Sequence, residues 1–282
     1  MTGQSEYFLP HRGAFGYARP PELAGLALPP GPMPSRHGLR PLKSWRYVGV
    51  YGPEIMLCLA QVRIGPTRQS FWAVWDRAGR RLHERTVLGQ GGVRLGLGMA
   101  EVRDRQVQIE LRLDETAGVE TVCPTGQAYA WTRKQGGIPV TGWVVIDGTA
   151  RPFAARAVID DTAAYYPRHT QWHWCAGVGE DAEGRELAWN LVSGVNDPRS
   201  GSERTVWVDG DPREVPPCRF AADLSSVDDL QFTAEAVRER DENLLLARSR
   251  YRQPFGTFSG QLPGGIEVAQ GYGVMEEHDV WW

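Results

Sequence analysis

Side chains able to move a proton are concentrated in one segment near the middle of the chain. Residues 160–175 read DDTAAYYPRHTQWHWC and bring carboxylates, histidines and tryptophans together. If residues 169–175 form one strand, successive side chains point to opposite faces of the sheet. One face then carries His169, Gln171, His173 and Cys175, and the other carries Thr170, Trp172 and Trp174.

One interpretation of this segment is catalytic. His169 has the chemistry of a general acid or base, because a histidine changes its protonation near neutral pH. Asp160 or Asp161 would set the protonation state of that histidine. The candidates for holding an apolar ligand are Tyr166, Trp172 and Trp174.

A structural interpretation of the same segment is also open. Residues 160–168 would form a turn whose polar side chains tie two halves of the chain together, with both tryptophans in the core. Along a strand, His169 and His173 would stand about 13 Å apart. One metal ion cannot bridge that distance, so no metal site is predicted unless a bulge or turn intervenes.

A second cluster closes the chain. Two carboxylates beside a histidine can shift one another's pKa in a cleft, which makes Glu276, Glu277 and His278 further acid–base candidates. The alternative is the solvated end of a strand. Trp281 and Trp282 favour docking of this end, because large aromatic side chains at a terminus are usually packed.

A third set of candidates lies between these clusters. Asn190 and Glu203 stand in apolar surroundings, where isolated polar groups can orient a ligand in a pocket. The nearby residues 196–198, Asn-Asp-Pro, are typical of a simple turn.

Charge and motifs exclude several classes of protein. Lys and Arg number 31 against 34 Asp and Glu, a net charge of -3 with the signs interspersed, so nucleic acid is not an expected partner. The four cysteines form no CxxC pair, which excludes a zinc ribbon and a thioredoxin-like redox motif. No GxxxxGK[ST], GxSxG or HExxH motif occurs, and we therefore expect no cofactor.

The start of the chain and its hydropathy predict where the protein works. Residues 1–10 show no signal-peptide pattern, and no run of 18 apolar residues occurs. We therefore expect a cytoplasmic protein with reduced thiols and no integral membrane segment. The oligomeric state is left open.

Short strand patterns at 8 to 12 residue spacing position these candidates, and they predict an all-β fold. Residues 106–114 alternate polar and apolar throughout, and Asp147-Gly148 and Asp209-Gly210 predict hairpins. Residues 225–240 fit either a helix or a strand. The further predicted strands are 43–51, 54–64, 69–76, 80–87, 127–133, 143–146, 153–159, 171–178, 185–192, 205–208, 255–261 and 266–274.

The domain organisation follows from proline content and from a faint internal repeat. Eight prolines lie before residue 42, which predicts an extended arm over residues 1–42, docked through Tyr7, Phe8, Phe15, Tyr17 and Leu23. Glu84-Arg85-Thr86-Val87 recurs as residues 203–206, and Trp45/Tyr47 has an echo in Trp172/Trp174. We therefore predict two β halves, 43–150 and 151–282.

At its clusters the chain resembles a bacterial family of proteins of unknown function. The matching segments are Trp45-Arg46-Tyr47, Pro167 to Trp174, Ser202 to Gly210 and Gly273 to His278. The resemblance spans most of the chain, is specific to that family and implies no activity.

Two β halves with an aromatic interior are also similar, more distantly, to the tandem lipocalin-like proteins. That group includes carotenoid hydratases, kievitone hydratase, tocopherol cyclase and fungal Diels-Alderases. The similarity implies two lipocalin-like β-barrels or half-barrels packed together, and an apolar ligand on which acid–base side chains act without a cofactor. A single large β-sandwich is the alternative fold.

The resulting functional hypothesis is a cofactor-free lyase, hydratase or cyclase acting on an isoprenoid or polycyclic small molecule. His169 would move the proton, with Glu276, Glu277 or Asp161 as its partner, beside aromatic walls that can stabilise a cation. A non-catalytic carrier of a hydrophobic ligand is the alternative. A structural or partner-binding protein becomes preferable if no cavity exists.

Overall fold

Strands make up most of the chain. The computed structural model describes residues 8–16, 19–89, 91–244 and 247–282. Its one described helix is a 3₁₀ turn, Pro21–Leu23. The strands are β1 His11–Ala14, β2 Arg36–His37, β3 Arg40–Pro41, β4 Lys43–Tyr51, β5 Ile55–Ile64, β6 Thr67–Asp76, β7 Arg81–Leu88, β8 Val93–Gly96, β9 Met99–Arg103, β10 Val107–Leu113, β11 Val119–Thr125, β12 Ala128–Ile146, β13 Thr149–Ala164, β14 His169–Glu180, β15 Glu186–Ser193, β16 Thr205–Val208, β17 Asp211–Glu214, β18 Ser226–Val227, β19 Leu230–Leu244, β20 Ala247–Leu262 and β21 Ile266–Trp281.

Two large antiparallel sheets hold all of these strands except β2 and β3, which pair only with each other. The first has the order β7-β6-β5-β4-β13-β12-β10-β9-β8, with β11 paired to the other end of β12 and β1 paired to β11. It curls into a half-barrel. The second sheet has the order β17-β16-β15-β14-β21-β20-β19-β18 and is open. The predicted all-β fold is confirmed.

The two Asp-Gly hairpins form as predicted. Asp147 and Gly148 have φ values of 47° and 83°, and Asp209 and Gly210 have 49° and 82°. Both residues of a type I′ turn need positive φ, which Asp tolerates and Gly adopts freely. These turns connect β12 to β13 and β16 to β17.

Residues 225–240, which fit two patterns, form a β-hairpin with its turn at Asp228 and Asp229. They form β18 and most of β19, and β19 pairs with β20 along its length with one irregularity between Ala234 and Ala236. The pairing decides the conformation, because a strand inside a sheet satisfies its backbone groups through its neighbours.

Apolar side chains form three layers. One lies inside the curled first sheet and includes Val48, Leu57 and Ile109. A second lies between the two sheets, where Tyr51 and Met56 of the first meet residues such as Phe255 of the second. The third covers the outer face of the second sheet. The two sheets therefore share their middle core.

The N-terminal arm packs on the first sheet. Leu23 and Leu28 are buried against Tyr129, Trp131 and Tyr165, with Phe8 and Phe15 at the margin. The arm is extended but not free of strand pairing. Residues 11–14 contain no proline and form β1, which pairs with β11. Tyr7 and Tyr17, which were expected to dock, lie outside the described residues.

The chain passes from one sheet to the other between Ala164 and His169. Residue 150, the predicted boundary, falls at the start of β13, which belongs to the first sheet. The division into domains stays a prediction. Among the described residues, no helix has the length and apolar character needed to cross a membrane.

Candidate active site between the two sheets

A cavity of about 330 Å³ lies between the two sheets. Strands β4 to β7, β12 and β13 contribute side chains from the first sheet, and β14, β15 and β19 to β21 contribute them from the second. Nine of the described tryptophan, tyrosine and phenylalanine residues line the cavity, together with eight charged residues. The aromatic residues include Trp45, Tyr47 and Phe71 on one side and Trp172, Trp174 and Tyr251 on the other.

The repeated aromatic pairs meet across this cavity. Trp45 and Trp172 stack with their ring centroids 6.3 Å apart and their planes 10° apart. Tyr47 and Trp174 meet edge to face at 5.2 Å. Each pair has one member on β4 and one on β14, so the faint echo in the sequence corresponds to facing positions on the two sheets.

Each tryptophan of the stacked pair holds a carboxylate. Trp45 Nε1 donates to Asp160 Oδ2 at 3.0 Å, and Trp172 Nε1 donates to Glu276 Oε1 at 2.8 Å. The registers are equivalent, since Asp160 lies opposite Tyr47 on β4 and Glu276 lies opposite Trp174 on β14. The cavity thus contains two similar Trp–carboxylate arrangements, one from each sheet.

The two carboxylates differ in their second partner. Asp160 Oδ1 lies 2.5 Å from Nζ of Lys134, a residue only 2% exposed. Lys134 Nζ also lies 3.3 Å from Glu203 Oε1. Glu276 Oε2 accepts a hydrogen bond from the neutral amide of Gln253, at 2.8 Å. Among the described residues, Asp160 therefore has a bonded cation and Glu276 has none.

Burial raises the pKa of Glu276 to about 6, although the donor groups of Trp172, Tyr251 and Gln253 oppose the shift. The charge of Asp160 raises this pKa further. Glu276 also interacts electrostatically with Tyr251 on β20, Tyr51 on β4 and Cys58 on β5. His278 and Arg238 line the same cavity.

The neighbouring His278 is neutral at pH 7. Burial lowers its pKa to about 3, and Arg238 adds to the shift, while Asp279 opposes it. Its Nε2 lies 2.8 Å from Ser249 Oγ, and its ring packs 4.4 Å from that of Trp172. His278 can therefore act as a hydrogen-bonding group without bringing a charge into the cavity.

The Lys134 cluster is a buried ion-pair network. Burial lowers the pKa of Lys134, but the attraction of Asp160 and Glu203 outweighs burial, and the pKa is raised. Burial also raises the pKa of Glu203, against the opposing charge of Lys134. Asn196 Nδ2 donates to Glu203 Oε2 at 3.1 Å and to Tyr166 Oη at 2.6 Å. This network holds Asp160, and through it Trp45, in place.

The cavity brings together six of the ten residues that the sequence nominated. They are Tyr166, Trp172, Trp174, Glu203, Glu276 and His278. The lining of the cavity does not include the other four, Asp161, His169, Glu277 and Asn190. The roles predicted for all ten stay predictions.

His169 lies on the opposite face of β14 from the two tryptophans. Its Nε2 is 2.9 Å from Asp279 Oδ1. We had expected Asp160 or Asp161 as its carboxylate partner, but the partner is Asp279. The reason is the pairing of β14 with β21, which places Asp279 beside the N-terminal end of β14.

The other three nominated residues also point elsewhere. Asp161 is paired with Arg46 at 2.8 Å. Glu277 is exposed, because it alternates with Glu276 along β21. Asn190 is buried behind the wall, where its Oδ1 accepts from Trp174 Nε1 at 2.8 Å and its Nδ2 donates to the Glu203 carbonyl at 3.0 Å.

Several functional candidates escaped sequence analysis. Lys134 could have been singled out from the sequence, because it is one of only two lysines among 31 basic residues. In the structure both lysines are buried. Arg238, Tyr251 and Gln253 carried no such signal, because nothing local distinguishes them from other residues on alternating strands. Within the described part of the chain, no group of three or more His, Cys, Asp or Glu side chains could hold a metal ion.

Residues 86–282 match the model of a family described as a domain of unknown function, DUF2804. The chain belongs to the DUF2804 family. The expected membership of a family of unknown function is thereby confirmed. No curated protein sequence matches this DUF2804 member.

Solved structures with a similar fold have low sequence identity to this chain. Kievitone hydratase from Nectria haematococca has a TM-score of 0.52 at 11% identity, over 83% of this chain and 88% of its own. A Nitrosomonas europaea protein assigned as AttH has a TM-score of 0.49 at 14% identity, over 90% and 97%. CghA, crystallised with Sch210972, has a TM-score of 0.42 at 9% identity, over 96% and 97%. The likeness to kievitone hydratase is one of fold.

Proposed function

We propose that the cavity between the sheets binds a hydrophobic small molecule, isoprenoid or polycyclic, and that the protein acts on it as a cofactor-free lyase, hydratase or cyclase. The observation that carries this proposal is Glu276. It is a buried carboxyl with a pKa of about 6 on the wall of an aromatic cavity, with no bonded cation. A carboxyl that changes protonation near neutral pH suits general acid–base catalysis.

The cavity suits such a ligand in size and chemistry. Small-molecule pockets span roughly 300 to 1,000 Å³ and combine apolar walls with a few polar groups, and this one measures about 330 Å³. Stacked tryptophans on two sides favour a flat or unsaturated ligand. Kievitone hydratase, which shares the fold, is a hydratase by name, and this supports a reaction that adds or removes water.

Glu276 supplies the proton transfer in this proposal. At pH 7 about nine tenths of a carboxyl with a pKa near 6 is ionised, so it acts first as a base. In dehydration, the carboxylate takes a proton from carbon, the neighbouring C–O bond breaks, and the acid form returns the proton to the departing hydroxyl. Hydration reverses these steps, and water is the only other species needed. Trp172 and Gln253 hold the carboxylate in one orientation.

Asp160 occupies the equivalent position but is assigned no proton transfer. It is ion-paired with Lys134 at 2.5 Å, which occupies one of its oxygens. His169 is also not assigned proton transfer, because it lies on the other face of β14.

Mass spectrometry of the compound that co-purifies, followed by turnover assays, tests the proposal. We expect Glu276→Gln to lower kcat by ~10²- to 10⁴-fold, with little change in ligand affinity. The wild-type rate should rise with pH through an apparent pKa near 6, and this limb should vanish in the variant. Glu277→Gln and His169→Gln are matched controls, and both should keep full activity.

Two results would reject this assignment. Full activity of Glu276→Gln would remove the acid–base role from that residue. A bound ligand that is never converted, in wild type or in any variant, would instead identify a carrier, for which the aromatic wall matters and Glu276 does not.

A further inference from the structure

One corner of the cavity carries a buried guanidinium with unused hydrogen-bonding capacity. Arg238, on β19, is 2% exposed and lines the cavity. Its Nη2 donates to Thr86 Oγ1 at 2.9 Å, and its Nε lies 3.1 Å from Glu84 Oε2. Its Nη1 has no hydrogen-bond partner among the described residues.

The surroundings of Arg238 are mainly aromatic. Its Cζ lies 3.9 Å from the ring centroid of Phe71 and 4.9 Å from that of Tyr251. Rings attract a cation through their faces but do not satisfy N–H donors. A buried donor without a partner is costly, and an ionised one more so. The free Nη1 is therefore suited to a ligand acceptor.

Comparison with Lys134 shows that Arg238 retains a surplus of positive charge. Lys134 faces two buried carboxylates, Asp160 and Glu203. The only carboxylate that the structure pairs with Arg238 is Glu84, whose side chain is 32% exposed and so weakened by solvent. An anion is thus favoured beside Arg238 and disfavoured beside Lys134.

Tyr251 provides a second donor at the same place. Its hydroxyl is buried and makes no hydrogen bond of ordinary geometry with any described residue. It lies close enough to Glu276 to affect the pKa of that carboxyl. By rotating its O–H bond, Tyr251 can donate a hydrogen bond either to Glu276 or to a ligand oxygen.

We propose that Arg238, assisted by Tyr251, binds a carboxylate on the hydrophobic ligand. This inference rests on the proposed function, since it concerns the same cavity, and it narrows the substrate class to apolar carboxylic acids. Two donors, Nη1 and the tyrosine hydroxyl, match the two oxygens of a carboxylate. A singly charged carboxylate is repelled less than a doubly charged phosphate by the Glu276 carboxylate, which lines the same cavity.

Fluorescence titration with a matched pair of probes tests this inference. The probes are 1-pyrenebutyrate and its methyl ester, which share an apolar body and differ in charge. At pH 8, where Glu276 is ionised in the free protein, Arg238→Gln should weaken binding of the acid by about tenfold or more, because a charge-assisted pair is lost. Binding of the ester should change by less than about threefold.

Two further variants complete the design. Tyr251→Phe should weaken binding of the acid by about threefold to tenfold and leave binding of the ester unchanged. Because this substitution removes only one hydroxyl, it still tests the inference if Arg238→Gln does not fold. Arg250→Gln is the matched control. Arg250 precedes Tyr251 on β20, has a side chain that is 62% exposed, pairs with Asp241 at 3.4 Å and does not belong to the cavity lining, so the substitution should have little effect.

Three outcomes would overturn the inference. They are equal losses of affinity for acid and ester in the Arg238 and Tyr251 variants, a loss of affinity for the acid in Arg250→Gln as large as in Arg238→Gln, and failure of the wild type to bind the acid. Failure of the proposed function is distinguishable. In that case the acid would bind with the expected dependence on Arg238, while Glu276→Gln left turnover unchanged or no ligand was converted.

Discussion

At the scale of single residues, what separates Glu276 from Asp160 is one bonded partner. Both carboxylates accept an indole N–H from a stacked tryptophan and both are buried. Lys134 neutralises one, and the Gln253 amide leaves the other without a counter-charge. A similar arrangement thus provides an ion-paired structural group on one sheet and a titratable group on the other.

This difference has a measurable effect on stability. The pKa of Glu276 is raised from 4.5 to about 6 in the folded protein. Stability from this group is fully present below pH 4.5 and is lost as pH rises through 6, by about 2 kcal/mol at ~1.4 kcal/mol per pKa unit. We expect Glu276→Gln to lose this dependence, so its stability relative to wild type should increase between pH 4.5 and 7.

Urea unfolding at a series of pH values measures this effect, with Glu277→Gln as the exposed control. A constant difference between wild type and Glu276→Gln across this range would show that burial does not raise the pKa of this carboxyl.

At the scale of elements, strand register positions the site. Strand β4 lies beside β13 and strand β14 beside β21, with Trp45 and Trp172 each next to the strand that carries its carboxylate. The arm contributes differently. It covers the far end of the first sheet, where Tyr129 Oη donates to the Ala27 carbonyl at 2.9 Å and Tyr165 Oη donates to the Pro34 carbonyl at 2.7 Å.

The arm should therefore contribute to stability. Leu23 is 2% exposed in the cluster that includes Tyr129 and Trp131. We expect Leu23→Ala to lower the free energy of unfolding by about 2 to 4 kcal/mol, through lost apolar contact and the cavity left behind. Leu39→Ala, in the same arm but 95% exposed, should change it by less than about 0.5 kcal/mol. Chemical denaturation measures both.

Equal and small effects of the two leucine variants would show that the arm does not stabilise the fold. Deletion of residues 1–40 would then leave the melting temperature unchanged, whereas a docked arm predicts that it falls.

At the scale of the whole molecule, the two sheets depend on a common core. Trp174 is 5% exposed, packs against Tyr47 of the first sheet and donates to Asn190 of its own. The cavity opens in this shared layer, so its walls come from residues far apart in the chain. Ligand binding and the packing of the sheets should therefore respond to the same substitutions.

Trp174→Ala tests this dependence. We expect it to lower stability by about 3 to 5 kcal/mol and to weaken ligand binding. Trp143→Ala, 55% exposed on the first sheet, should cost less than about 1 kcal/mol and leave binding unchanged. If Trp174→Ala lowered the free energy of unfolding by no more than Trp143→Ala does, the core between the sheets would contribute little to stability.

Local patterns in the sequence determined many of the strands and which of their side chains share a face. The alternation over residues 107–113 appears directly as alternating burial, and both Asp-Gly turns form where they were expected. The tryptophans of residues 169–175 face the cavity while His169 faces away, as a period of two requires. These features depend on neighbouring residues, whose geometry the backbone sets directly.

Tertiary structure alone decided which side chains meet. Trp172 and Glu276 are 104 residues apart, and Thr86 and Arg238 are 152 apart. Such pairs form because β14 lies next to β21 and because the two sheets pack face to face, and neither relation follows from local pattern. The partner of His169, the neutral surroundings of Glu276 and the unsatisfied donor of Arg238 depend on which strands pair and which faces pack, because a short-range interaction acts only between atoms that the fold has brought together.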